Sequence, residues 1–250
     1  MIKSLILYGQ FFTRIPIPVS VDKPSLRMRT GVKYFSLFGL LIGCLEALLF
    51  WMATQLIGFN MAWVLVLFFD VVLTGGFHLD ALADMADGLF SSRKKERMLE
   101  IMKDSRVGSN GVLVLIFYYA ILIVSFFDMS GHISLKTAIF IVLSFNIIGK
   151  MGISLLFFNL AYSGSNPNGL GTVFVGVKTK DIILSQLIGL SMLLLMFGGR
   201  LLFVYGFFVL FIWLYRMMVY KKIDGMNGDT LGAGSPLSQM IMMLVLSVVI

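Results

Sequence analysis

Long apolar runs recur along the chain. Residues 34–57, 61–77, 111–127, 138–160, 182–197, 201–219 and 237–250 carry almost no charge. Apolar stretches of about 17–25 residues read as membrane-crossing helices. These seven predict an all-α, polytopic transmembrane helix bundle, a single integral membrane domain over residues 1–250. The last run has 14 residues, about 21 Å of helix, so half-insertion or tilt is expected of it. The opening run, residues 1–12, predicts an interfacial helix stopped by Arg14-Ile15-Pro16-Ile17-Pro18.

The polar intervals are unequal. Short loops at 58–60, 128–137 and 198–200 alternate with long, charged, Gly-rich loops at 79–110, 161–181 and 220–236. With the N-terminus inside, 17 of the 20 Lys and Arg fall on the inside, Arg93 and Lys222 among them. Lys136 and Arg200 fall outside, and Lys150 lies within a run. Basic residues concentrate on the cytoplasmic side of membrane proteins, so the long loops are predicted to be cytoplasmic and to carry the chemistry. Composition agrees: 58% hydrophobic residues, 13% charged and a mean hydropathy of +0.94 exclude a soluble enzyme, a disordered chain, a collagen and a disulfide scaffold. A lone cysteine, Cys44, makes no internal disulfide and no cysteine metal site. The net charge of +7 reports orientation before it reports any partner.

Within 79–110 the acids fall into helical phase. Asp80, Asp84 and Asp87 stand at i, i+4 and i+7; Glu96, Glu100 and Asp104 stand at i, i+4 and i+8. The pattern predicts a cytoplasmic hairpin with two facing carboxylate stripes. Like charges at that spacing destabilise a helix, so a cation is expected between them. Oxygen ligands with only His78 nearby suit Mg²⁺, or alternatively Mn²⁺, and two such ions about 4 Å apart fit paired stripes. The competing reading is a solvated, salt-bridged hairpin, its six acids balanced by Arg93, Lys94, Lys95, Arg97, Lys103 and Arg106. Elsewhere, Gly228, Asp229 and Thr230 open the last apolar segment, either as a plain helix cap from Asp229 or Thr230 or as a phosphate-binding turn. Gly169 and Gly171 either let backbone approach a ligand or make a turn. Lys150 is expected to reach a polar cavity. Glu46 and Asp70, two acids within the apolar runs, have no evident partner.

Asp84-x-x-Asp87-Gly88 followed by Glu100-x-x-x-Asp104 partly resembles the acidic signature of membrane CDP-alcohol phosphotransferases. A closer resemblance spans the chain. The segments Thr74 to Ser91 and Glu96 to Gly108 are similar to hallmarks of the cobalamin synthase (adenosylcobinamide-GDP ribazoletransferase) family. Thr13-Arg14-Ile15-Pro16-Ile17-Pro18, before them, and Gly169 to Phe174 and Asn227 to Ala233, after them, agree in order as well.

That resemblance implies a Mg²⁺-dependent transferase of cobalamin biosynthesis in the bacterial inner membrane, facing the cytoplasm. The 3′-hydroxyl of α-ribazole, or of its 5′-phosphate, attacks the cobinamide-linked phosphorus of adenosylcobinamide-GDP, and GMP leaves. The partners expected are those two substrates and the lipid bilayer, with no nucleic acid; an oligomer is left open. For such a reaction, Asp80, Asp84, Asp87 and Glu100 are expected as metal ligands. Arg97, Lys103 and Arg106 are expected as a phosphate clamp. Lys150, Gly228, Asp229 and Thr230 are expected to bind substrate. Asp104 is the expected base, with His78 as runner-up. The rival functions are a CDP-alcohol phosphotransferase, which would release CMP, and a divalent-cation transporter, which would show ion flux without a nucleotide-linked substrate.

Overall fold

The computed structural model describes residues 1–91, 94–164 and 169–250, so Ser92 and Arg93 of the long inside loop lie outside the described residues. The helices are α1 (Ile2–Phe12), α2 (Pro24–Thr30), α3 (Phe35–Thr54), α4 (Phe59–Thr74), α5 (Phe77–Ser91) and α6 (Lys95–Ile101). They continue as α7 (Ser109–Ser130), α8 (Leu135–Leu156), α9 (Thr179–Phe197), α10 (Leu201–Ile223), α11 (Gly228–Gly232) and α12 (Gly234–Val249). The seven apolar runs are recovered as α3, α4, α7, α8, α9, α10 and α12.

Among the described residues, five stretches are long and apolar enough to cross a membrane, and α4 with α5 make a sixth if they form one broken span. One of the five, Thr179–Ile223, has 45 residues, more than twice the roughly 20 that one crossing needs. It doubles back at Gly198, whose φ is +68°. Tyr205 Oη donates to Gln186 Oε1 at 3.1 Å, although 19 residues separate them, about 28 Å of straight helix. The last run is longer than its sequence suggested: α11 and α12 together give Gly228–Val249, 22 residues.

α8 is the hub of the bundle. It is buried almost throughout from Ala138 to Leu156, with α3 packed on one side and α12 on the other. The approach of α3 depends on missing side chains. A Cβ at Gly39 would lie 2.4 Å from the carbonyl oxygen of Asn146, and one at Gly43 would lie 2.5 Å from that of Leu143. Without a hydrophobic drive between helices in lipid, such close backbone packing is what holds them together. Gly43→Val is therefore expected to destabilise the detergent-purified protein by about 1–3 kcal/mol through overpacking. Gly206→Ala, with nothing within 4 Å of its Cβ, is expected to leave thermal unfolding unchanged. Equal unfolding temperatures for the two variants would refute this packing account.

The outer helices show the complementary pattern. α10 buries Leu201, Val204, Phe208, Ile212, Tyr215, Val219 and Ile223, one stripe at helical spacing. It exposes Phe203, Phe207, Leu210 and Trp213, as a lipid-facing surface requires.

Two features turn the chain into a site. Gly75 and Gly76, with φ of +68° and +69°, adopt the left-handed conformation that glycine accepts without strain, and α5 leaves α4 at 89°. Asp87 then pins α5 to the start of α7: its two carboxylate oxygens accept from the backbone amides of Gly108 at 2.7 Å and Gly111 at 2.9 Å. Those are amides that a helix N-terminus leaves without an internal partner.

Candidate functional site

A cleft of about 270 Å³ opens where α5 meets α11. Its polar wall consists of His78, Asp80, Lys103, Tyr162, Asn227 and Asp229. Its apolar wall includes Phe11, Phe12, Phe77, Phe157 and Phe174. The local reasons are legible residue by residue. Asn227 caps α11: its side chain accepts from the Thr230 amide at 2.9 Å, and Thr230 Oγ1 accepts from the Asn227 amide at 2.9 Å. This reciprocal capping box settles the cap: it is Asn227, where the sequence suggested Asp229 or Thr230. Thr230 is fully buried in that role, and Tyr215 Oη donates to its carbonyl at 2.7 Å. It does not line the cleft, whereas Gly228 and Asp229 do. Backbone bonds from Ser163 to Met226 and from Met226 to Ala161, both 2.9 Å, zip the Tyr162 segment alongside.

Two carboxylates, Asp80 and Asp229, line the cleft, and Asp84 lies behind them on α5 without lining it. Asp80 and Asp84 are one turn apart on α5, and both interact electrostatically with Asp229. Lys103 is the cation that acts on Asp229. Among the described residues, no three His, Cys, Asp or Glu side chains stand close enough to form a metal site by themselves.

The two facing stripes are not formed as expected. Met98 and Met102, themselves at i and i+4, turn inward: a Cβ on Gly88 would strike the Met102 side chain at 2.4 Å. α6 can present only one face to α5, so Glu96 and Glu100 face solvent. Glu100 accepts from Arg97 Nη1 at 2.9 Å, an exposed i,i+3 pair. Glu100 is thus not placed as a metal ligand, nor Arg97 as part of a clamp. Asp87 is occupied with the α7 amides. Of the expected basic clamp only Lys103 reaches the cleft.

Asp104 and Arg106 line a separate recess with Asp87, Ser91 and Gly108. Arg106 Nη2 donates to Asp104 Oδ2 at 2.6 Å, and Arg106 Nε donates to Oδ1 at 3.0 Å. That fork holds the Asp104 carboxyl down at about 2. A carboxylate so stabilised is a poor base, and Asp104, expected as the base, lines this recess and not the cleft. The sign follows from linkage: with its folded pKa below the unfolded value, the pair contributes above the ordinary carboxylate range, and the contribution fades as pH falls toward 2. No rate change between pH 5 and 9 is expected to trace to Asp104, and Asp104→Asn is expected to lower turnover less than about tenfold. A loss of 10²-fold or more, the general-base scale, would restore it as the base.

Lys150 is also relocated. It is 1% exposed, sealed behind the rings of Phe12 and Phe38, with Nζ 2.9 Å from His78 Nε2. It does not touch the cleft; His78 does. One turn earlier on α8, Asn146 Nδ2 donates to Glu46 at 2.7 Å and to Asp70 at 3.2 Å, the partner that sequence inspection did not find for either acid. The aromatic wall was likewise missed. Phe11 and Phe12 end the interfacial helix just before the Thr13 motif, and that adjacency was the available signal.

Fold and site together define a polytopic, all-helical membrane protein whose bundle ends in a carboxylate-rich, aromatic-walled cleft. The family model described as cobalamin-5-phosphate synthase matches residues 4–247, and the chain belongs to that family. It is 44% identical to the adenosylcobinamide-GDP ribazoletransferase of Listeria welshimeri, over 99% of this chain and 98% of the relative. Relatives of the same name in Listeria monocytogenes serovar 1/2a and Clostridium novyi are 43% and 40% identical, each covering at least 95% of both chains. No solved structure matches.

Proposed function

We propose that this chain joins adenosylcobinamide-GDP to α-ribazole, or to α-ribazole 5′-phosphate, and releases GMP. The observation that carries this reading is family membership along essentially the whole chain, together with a cleft whose chemistry suits a pyrophosphate. In the reaction the attacking hydroxyl oxygen forms a new bond to the cobinamide-linked phosphorus, and its proton is released to solvent. The bond from that phosphorus to the bridging oxygen breaks, and GMP carries that oxygen away. Such displacement needs positioning and neutralisation of phosphate charge more than covalent help from the protein.

Asp80, Asp84 and Asp229 would repel a pyrophosphate if nothing positive lay between. A Mg²⁺ site of this kind needs only one or two protein carboxylates, with phosphate oxygens and water completing it. The three acids fit that requirement as a partial site, completed by substrate. Bound there, Mg²⁺ would neutralise the bridging and leaving oxygens. Lys103, on the same polar wall, would pair with a further phosphate oxygen. His78 offers a ring nitrogen at the cleft floor, and Phe11, Phe12, Phe77 and Phe174 exclude water from one side. Detergent-purified protein given both substrates and Mg²⁺ is expected to form GMP and the joined corrinoid in equal amounts. CMP release from a CDP-alcohol instead would favour the lipid-enzyme reading.

The proposed setting is the bacterial inner membrane, with the N-terminus and the cleft in the cytoplasm. The basic asymmetry supports this, as does the gathering of α5, α6, α11 and the Tyr162 segment at one end of the bundle. In a Cys44→Ser background, a cysteine at Lys221 is expected to label only from the cytoplasmic side and one at Lys136 only from outside. Labelling of position 221 from outside would overturn the orientation.

A further inference from the structure

Lys150 lies behind the cleft, against the cleft-lining His78, and the geometry of this buried pair has a chemical consequence. A lysine ammonium has three donors and no acceptor. At 2.9 Å from His78 Nε2, it requires that nitrogen to accept. A neutral imidazole then carries its single proton on Nδ1. One turn earlier on α8, Asn146 donates to the carboxyl groups of Glu46 of α3 and Asp70 of α4. The faces of Phe12 and Phe38 lie 5.0 and 5.9 Å from Nζ, favourable ground for a cation. α7 and α12 bring only neutral groups to this region, Tyr118 and Gln239, which bond to each other at 2.8 Å.

His78 Nδ1, by contrast, is buried without a partner among the described residues. It lies on the α11 side, where a Cβ at cleft-lining Gly232 would come within 3.7 Å of it. A buried N–H left unpaired keeps the full cost of its lost hydration, so an acceptor is wanted there.

We propose that Lys150 is a positioning residue: it locks His78 in the Nδ1–H tautomer and so makes His78 a hydrogen-bond donor to a phosphate oxygen in the cleft, not a base. The inference rests on the pyrophosphate reading above for its acceptor, but the tautomer itself does not depend on substrate. Only two histidines, His78 and His132, occur in the chain. ¹⁵N-histidine labelling of the full-length protein in detergent, with His132→Gln for assignment, therefore reads His78 directly.

The expected spectrum has an unprotonated Nε2 and a protonated Nδ1. Lys150→Met is expected to lose that single tautomer. It should lower kcat for GMP release by about 10–100-fold, the scale for groups that orient a functional side chain, with KM for adenosylcobinamide-GDP little changed. Lys150→Arg keeps a charged donor and is expected to retain the tautomer and most of the rate. A protonated Nε2 in the wild-type protein overturns the proposal, and that reading stands even if Lys150→Met does not fold. An unchanged tautomer in Lys150→Met overturns it equally. If the tautomer is as expected but no GMP forms from the stated substrates, the fault lies in the functional reading and not in the Lys150 assignment.

Discussion

Asp84→Asn is expected to lower GMP release by about 10²–10³-fold, the cost of removing one preorganised electrostatic group from a reacting centre, while the protein stays folded. Among the described residues, the charges that act on Asp84 are the other acids, Asp80, Asp229 and Asp87. Turning it into an amide relieves repulsion among these acids and removes a ligand from the proposed metal site. Unfolding temperature should therefore stay level or rise while turnover falls, and raising Mg²⁺ should recover part of the rate. A variant that is both unstable and inactive would mark Asp84 as a structural residue.

Asp87→Asn is expected to fail in the opposite way. Both its oxygens accept from backbone amides at the start of α7. An asparagine supplies one acceptor and turns an NH₂ toward the other amide, leaving a buried donor unpaired. The negative charge that complements the helix dipole also goes. Destabilisation of about 1–3 kcal/mol is expected, and the surviving folded fraction should turn over within several-fold of wild type. Normal stability with abolished turnover would return Asp87 to the metal site that the sequence pattern suggested.

The contrast between these two residues shows where sequence reading reached its limit. Seven apolar runs, the interfacial opening helix and the loop-length asymmetry follow from hydropathy alone, because in a membrane the solvent imposes length and composition on every helix. The phase of Asp80 and Asp84 along α5 was equally legible. Partner choice across elements was not. Glu96, Glu100 and Asp104 share a phase on paper. Met98 and Met102 share one too, and the thioethers take the inward face because burying apolar surface costs nothing while burying carboxylates costs a great deal. Asp229 belongs with Asp80 only because α11 folds against α5, a contact spanning most of the chain. Lys150 meets His78 for the same kind of reason. A polar residue in an apolar helix announces that it needs a partner, but its spacing along the chain does not say which one.

The central claim is that the working acids are those of α5 and α11 and not the outer face of α6. The most direct test compares GMP release by Asp229→Asn and Glu100→Gln, each purified in detergent and supplied with adenosylcobinamide-GDP, α-ribazole and Mg²⁺. Glu100 is exposed and, among the described residues, paired only with Arg97, so its amide variant is expected to keep near wild-type turnover, while Asp229→Asn falls by about 10²-fold or more. An inactive Glu100→Gln beside an active Asp229→Asn would contradict the account and restore the site between two facing stripes.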